Sequence, residues 1–545
     1  MMPARSDLAT HEVTNQPPPP GDRDLWADDP LLRAFLTGSD ARTDQIAPYA
    51  RSLGTQALRD AARQANDHPP EAVIFDTGGR RLDEVRFHPA YHQLMQLSTE
   101  AGYAAIAWED APCGHLSHAA MVYLASQVEP GHCCPLTMTY AAAPVLRRMP
   151  GLEDWTRAIA SRRYDPAIRP VAEKHGATIG MAMTEKQGGS DLRANTTQAQ
   201  PDGDLWRLSG HKWFCSAPMS DGFLKLAQTA QGLSCFLVPR WLETGRNAIE
   251  IQRLKKKLGN RANASAEIEY RGAQAHLLGA DGDGVRVILD MVHHTRLDTA
   301  LAPAGLMRAA LTEAHRWASH RRVFQKTLID QPLMQAVLAD LTLDWLGSLA
   351  LSLHVARSFD GAGPQDRAFA RIGVAIAKYL SNKLCPLVVA EAMEALGGIG
   401  YIEDGPLPLL YREAPLNGIW EGSGNVICLD VLRSLARAPG AAEMLDQELD
   451  AARGLDAGFD RALASYRHDW RAQPAEAEAR QFVERTGLLL SAAILIRHAQ
   501  DGRIDHALPA AFIATRLGGP RGRFAGAAAV PDPARLLALC FAPTA

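Results

Sequence analysis

Three stretches of the chain gather residue types that could hold a flat cofactor and move a proton beside it. In Met183-Thr184-Glu185-Lys186-Gln187-Gly188-Gly189-Ser190-Asp191, which follows an apolar strand, small residues leave backbone N–H groups and two hydroxyls uncovered. Such a surface suits a polar ring or a phosphate. About 25 residues on, Gly210-His211-Lys212-Trp213-Phe214-Cys215-Ser216 sets an aromatic pair beside a hydroxyl, again on a strand, where an aromatic cofactor could stack. Strands of a β domain also favour aromatic residues in their core, so one of Trp213 and Phe214 is expected to be a core residue. Trp420-Glu421-Gly422-Ser423-Gly424-Asn425 then opens a helix and sets Glu421 on a turn. An acid there can be a dipole-favoured first-turn residue, or a base whose neighbouring N–H groups bind an oxygen as it gains charge. The helix N-terminus lowers the carboxyl pKa and burial raises it; desolvation is expected to dominate once an apolar substrate covers the site.

Other candidates have plainer readings. His88 and His92 have the i, i+4 spacing of a metal pair, but no third ligand completes a site, so no metal is expected. Lys255-Lys256-Lys257 reads as a solvated turn, and Gly397–Gly400 alone as a helix C-cap. Asp430 and Arg433 are spaced to pair on one helix face. The eight cysteines show no C-x-x-C spacing, and adjacent Cys133-Cys134 read as buried thiols in a reducing compartment.

The elements that must position these residues change texture along the chain. Residues 1–30 form a proline-rich arm expected to lie as an extended strap across another surface. Residues 31–176 read as an all-helical unit, with apolar residues three and four apart over Ile46–Arg63, Pro89–Ala107 and His115–Gln127. Residues 177–283 break into short runs separated by Gly, Pro and Asn, a small β domain. Residues 284–438 return to helical spacing in three long stretches, Val285–Arg322, Gln331–Phe359 and Gln365–Leu396, expected to form an antiparallel bundle. Residues 439–545 are an Ala-, Leu- and Arg-rich helical extension. A formal charge of −4 excludes a whole-molecule polycation, and from Ala441 onward twelve arginines face thirteen acids. The first thirty residues lack a signal-peptide core and Leu488–Ile496 is too short for a membrane span, so a cytoplasmic protein without membrane contact is expected.

Helical unit, β domain and bundle in that order, carrying these motifs, resemble the acyl-CoA dehydrogenases. Met183–Asp191 and Gly210–Ser216 resemble their two flavin-binding strands, Lys257–Arg261 the turn that follows, and Arg321-Arg322-Val323-Phe324 their Arg-x-x-Phe element. Gly397-Gly398-Ile399-Gly400-Tyr401 resembles the loop that cradles the dinucleotide from a partner subunit, and Trp420-Glu421-Gly422 the position of the catalytic glutamate. Asn15–Pro19, Val85–Pro89, Glu185–Gly189, Trp420–Asn425 and the extension are similar to the AidB-type branch of that family, linked to the bacterial response to alkylating agents. The resemblance implies an α+β fold with an extra helical domain and FAD shared between subunits of a homotetramer. It also implies weak activity on short branched acyl-CoA thioesters such as isovaleryl-CoA, and protection of DNA by binding the duplex through the extension.

It assigns Glu421 as the catalytic base and Met183, Thr184, Gly189, Ser190, Trp213, Phe214, Ser216, Arg321, Phe324, Gly397, Gly398, Trp420, Gly422, Ser423 and Asn425 to FAD. Arg516, Arg521 and Arg523, with no acid among them, are the DNA-contact candidates. Gln325, where many members have glycine, and Gly422-Ser423-Gly424-Asn425 depart from the family pattern at the substrate end. Two other readings stay open: an ordinary metabolic acyl-CoA dehydrogenase for a short or branched acyl group, and a DNA-binding protein with structural FAD.

Overall fold

The computed structural model describes residues 4–519, 522 and 524–542; Arg521 and Arg523 lie outside the described residues. Seven helices open the chain: α1 (Pro30–Leu36), α2 (Thr43–Leu53), α3 (Gln56–Asp67), α4 (Pro89–Ala101), α5 (Gly114–Ser126), α6 (Cys133–Leu146) and α7 (Glu153–Ile159). Sequence spacing alone runs the second and third together, but Gly54 and Thr55 end one and cap the next. The fourth stops at Gly102, whose φ of 96° is the left-handed cap that glycine takes without strain.

This unit is not all-helical. An antiparallel hairpin, β1 (Glu71–Phe75) and β2 (Arg81–Arg86), sits between α3 and α4. Its turn is built by Asp76, whose carboxylate accepts from the N–H groups of Gly78 and Arg80, and by Gly79 at φ 77°. The hairpin is tied to the β domain: Ile251 N–H donates to Asp83 Oδ1 at 2.7 Å and Arg81 donates to Ile251 O at 2.8 Å.

The β domain comprises β3 (Ile179–Ala182), β4 (Gln198–Asp202), β5 (Leu205–Ser216), β6 (Gly222–Thr229), β7 (Gly232–Pro239), a small hairpin β8–β9 (Trp241–Leu242, Gly245–Arg246), β10 (Ile249–Leu254) and β11 (Ser265–Leu278). Long β11 pairs with β10, β5 and β7, and β7 returns to β6, so the pairings close a ring through β11, β5, β4, β6 and β7.

After it come α8 (Gly284–His320), α9 (Pro332–Asp360) and α10 (Pro364–Ala395), then α11 (Leu407–Glu413) and α12 (Gly424–Arg437). Helices α9 and α10 are apolar and long enough to span a membrane, but most of their length is buried inside the molecule. The extension continues with α13 (Ala441–Asp450), α14 (Ala457–Asp469), α15 (Ala479–Gln500), α16 (Ala507–Phe512) and α17 (Pro533–Cys540). Gly487 lets α15 close on Leu380 and Ile376, and Gly347 admits the ring of Phe512. One apolar core runs through the first helical unit, the bundle and the extension, from Leu25 to Phe541. The strap lies on the end of α8, where the Asn15 side chain bonds Arg322 N and O at 2.7 and 2.9 Å and Pro18 O accepts from Arg316.

Candidate active site

Glu421 stands on the turn before α12 at φ 56°, a left-handed conformation disfavoured for any residue with a Cβ. Thr295, in the first third of α8, donates to Glu421 Oε2 at 2.6 Å, and Arg296 donates to the Glu421 carbonyl at 3.3 Å. Lys378 on α10 holds the turn from below, donating to Asn417 O and Gly422 O, both at 2.9 Å. Burial raises the Glu421 carboxyl above the ordinary range, and Thr295, Lys378 and Arg296 only partly offset it. Desolvation therefore dominates with no substrate needed to close the site. Burial also lowers the Lys378 ammonium to about 7.

The flavin-type residues converge on the same neighbourhood. Met183 and Trp420 both pack on the apolar cluster that includes Cys134, Met138 and Ala217. Burial pushes the Cys134 thiol up to about 12, with Lys257, Glu421 and Ser216 all acting on it, so α6 joins the strand hydroxyl to the turn carboxylate. Trp213 N–H donates to Thr184 O at 2.9 Å, tying the two strand motifs together. A Cβ at Gly189 would lie 2.3 Å from Thr184 Oγ1, so only glycine permits that bend. Ser190, Ser423 and Asn425 are exposed, and the hydroxyl of Ser423 caps nothing.

Beneath the Met183–Asp191 loop lies an ion pair of zero exposure, Lys212 Nζ to Glu185 Oε1 at 2.7 Å. Burial pushes the Glu185 carboxyl up, but Lys212 and bonds from Thr196 and Thr197 outweigh it and hold it at about 2. Burial lowers Lys212 to about 8 despite its partner.

Other candidates face outward. Gly397 (φ 66°) and Gly398 are exposed, with nothing near where a Cβ would stand, and Phe324 is 89% exposed at φ 52°. Gln325 adopts φ 67°, the conformation that glycine takes freely. The Arg321 guanidinium donates to Asn15 O at 2.7 Å, so the strap fixes it.

Several expectations are corrected. Neither Trp213 nor Phe214 is a core residue: β5 bulges there, leaving both opposite Glu267 alone, and Phe214 is 49% exposed. The lysine run is not a solvated turn: Lys255 Nζ sits 3.2 Å from the centre of the Trp213 ring and Lys257 donates to Asn263 O at 2.7 Å, leaving only Lys256 exposed. Asp430 does pair with Arg433, at 3.7 Å, but Arg296 and Arg371 hold it more closely, each at 2.7 Å. Arg516 is no DNA contact, because its side chain is 1% exposed and paired with Asp340 and Asp344 at 2.8 and 2.7 Å. His88 caps α4 and His92 bonds the Tyr164 hydroxyl, and among the described residues no group of His, Cys, Asp and Glu is arranged for a metal.

Thr295, Arg296 and Lys378 were missed by sequence reasoning. One signal was present: His293-His294-Thr295-Arg296 sets four polar residues in a row, which puts some of them on the buried side of an amphipathic helix.

Residues 15–166 match the family described as adaptive response protein AidB N-terminal domain, residues 180–273 the acyl-CoA dehydrogenase middle domain, and residues 282–436 the acyl-CoA dehydrogenase C-terminal domain. AidB of Escherichia coli (strain K12) is 46% identical over 500 residues, covering 90% of this chain and 92% of that protein. Acyl-CoA dehydrogenase family member 11 of Caenorhabditis elegans is 33% identical over 436 residues, covering 75% of this chain and 70% of that one. The crystal structure of Caenorhabditis elegans ACDH-11 in complex with C11-CoA matches with a TM-score of 0.82 at 28% identity over 94% of each chain. Butyryl-CoA dehydrogenase from Megasphaera elsdenii shares the fold, with a TM-score of 0.61 at 19% identity over 73% of this chain and 99% of that one. With helical, barrel and bundle units in the same order and a glutamate on the turn into α12, the chain belongs to the AidB-like acyl-CoA dehydrogenase family of FAD-dependent oxidoreductases.

Proposed function

We propose that the chain oxidises a short, branched acyl-CoA thioester weakly at its α,β bond, with Glu421 as the base. The carrying observation is the half-buried Glu421 carboxyl, bonded by Thr295 and sharing one apolar wall with Met183 and Trp420. The open bend at Gly189, the free hydroxyls of Ser190 and Ser423 and the exposed Phe214 ring fit a flat polar ring with a dinucleotide tail. FAD, when bound, supplies the acceptor for the β hydrogen and its electron pair. Glu421 takes the α proton, and the N–H groups opening α12, which lack intrahelical partners, bind the thioester oxygen as charge gathers on it.

The reading extends to a cytoplasmic homotetramer in which exposed Phe324, Gly397 and Gly398 serve a neighbouring subunit's FAD. It extends further to protection of duplex DNA from alkylation. What supports the DNA role is the likeness to the AidB branch; the Arg516 pairing instead favours a purely metabolic reading. Glu421→Gln should keep FAD and lose bleaching of the flavin band by isovaleryl-CoA. Bleaching at the wild-type rate in that variant would remove Glu421 as the base.

A further inference from the structure

Between the first helical unit and the barrel lies a cavity of about 510 Å³ that none of Glu421, Met183, Trp213 and Ser216 lines. Small molecules bind preferentially at such junctions, and this volume is of the size that drug-like ligands occupy. The Val85–Pro89 stretch, which the chemistry at Glu421 does not use, supplies part of its rim through Val85, Arg86 and Phe87.

The floor is apolar, built on buried Tyr91, Met95, Leu136 and Ile159. Two hydroxyls on the wall have no partner: Ser220 Oγ and Thr99 Oγ1 are shut off from solvent and bond nothing. Ser220 is 2% exposed, and a buried hydroxyl left unpaired is unfavourable unless something enters to meet it. Ala217, on the same wall, is held at φ 48°, a strained conformation of the kind that gathers at binding sites.

The lining acids Glu84, Asp165 and Asp221 equal the cations Arg86, Arg163 and Lys174 in number, but every one of the acids is paired. Asp221 pairs with Lys174 at 2.5 Å, Asp165 with Arg169 at 2.9 Å and Glu84 with Arg246 at 3.8 Å. Burial lowers His92 below the ordinary imidazole range and so works against a charge there. Arg86 and Arg163 remain, both exposed at the rim, and among the described residues neither guanidinium has an ion pair or hydrogen bond.

We propose that this cavity binds an amphipathic organic anion. Its apolar body lies on the floor, a hydrogen-bonding group meets Ser220 and Thr99, and an anionic head pairs with Arg86 and Arg163. The assignment is independent of the chemistry at Glu421.

The probe is 8-anilinonaphthalene-1-sulfonate, which carries an aromatic body, one N–H and one anionic head, titrated by calorimetry into the FAD-loaded protein. One saturable site per chain is expected, unchanged in Glu421→Gln. Removing both rim cations in the Arg86→Ala, Arg163→Ala double variant should weaken binding by about tenfold or more. Thr99→Phe, which fills the floor, should abolish it, and Thr99→Val should weaken it without touching FAD content. If Thr99→Phe fails to fold, the rim variant and Thr99→Val decide alone. No saturable site in the wild type, or unchanged affinity in the rim variant and Thr99→Val, overturns the proposal.

Discussion

At Glu421 three groups act against burial: the Thr295 hydroxyl, Lys378 and Arg296. A base must be ionised to work, so activity is present above the folded pKa of Glu421 and is lost as pH falls through it. Thr295→Val keeps the shape and removes the hydroxyl that favours the carboxylate. The acid limb of the pH–rate profile should therefore move to higher pH, with little change at the alkaline plateau; an unmoved limb would show that the bond does not bear on the base. The same burial bears on stability. A carboxyl whose folded pKa is raised contributes stability below its unfolded pKa and loses it as pH rises through the folded value, so ionised Glu421 is a liability at neutral pH. Glu421→Gln should unfold at no lower temperature than wild type at pH 7 and gain nothing at pH 4, by thermal melts of the FAD-loaded protein. A half-buried, strained acid that weakens the fold is what a functional constraint leaves behind.

Among the elements, the loop Met183–Asp191 owes its shape to Glu185 and Lys212 beneath it. Glu185 accepts from Thr196 N and Oγ1 as well as Lys212, so one carboxylate ties the loop to the approach to β4 and to β5. Lys212→Met leaves that carboxylate without its counter-charge at zero exposure and should cost about 3–5 kcal/mol, read by denaturant unfolding, with FAD released early in the transition. Replacing both residues together should cost much less, because the penalty lies in the unpaired charge. The long helices were legible in the sequence because α8, α9 and α10 bury continuous apolar faces that repeat every three or four residues. The hairpin β1–β2 was not: its strands bury little of their own surface, and their partner is Ile251, far along the chain. Motifs drew attention to Glu421, Met183 and Trp213 because each carries its own local shape. Thr295 and Lys378 carry none, since a lone threonine or lysine on a helix becomes part of a site only when another element arrives beside it. The lysine run misled for a related reason, because the bulge that offers Trp213 to Lys255 depends on the pairing of β5 with β11.

At the scale of the whole molecule, the extension decides between the metabolic and the DNA-protecting readings. It cannot be tested by cutting it off. Phe459, Leu490, Phe512 and Leu537 belong to the same core as α9 and α10, so a chain ending near Gly440 would expose that core and should aggregate or unfold rather than shed one function. Charge has to be probed in place. Arg467, Arg485, Arg497, Arg503 and Arg535 each pair with an acid of the extension, so these five are already engaged within it. Arg453, Arg461 and Arg471 are exposed, and among the described residues they make no ion pair. If the extension holds duplex DNA through phosphates, these three are among the cations able to do it, beside Arg480 and beside Arg521 and Arg523 outside the described residues, and fourfold repetition in a tetramer would multiply a weak attraction. Replacing all three with alanine should leave FAD content and melting temperature unchanged. It should also flatten the dependence of DNA affinity on log salt by about one unit for each phosphate no longer neutralised. A triple variant with the wild-type salt slope would move any DNA surface away from these three arginines. A wild type that binds no duplex at low salt would leave the extension with one physical role, closing the core over α9 and α10.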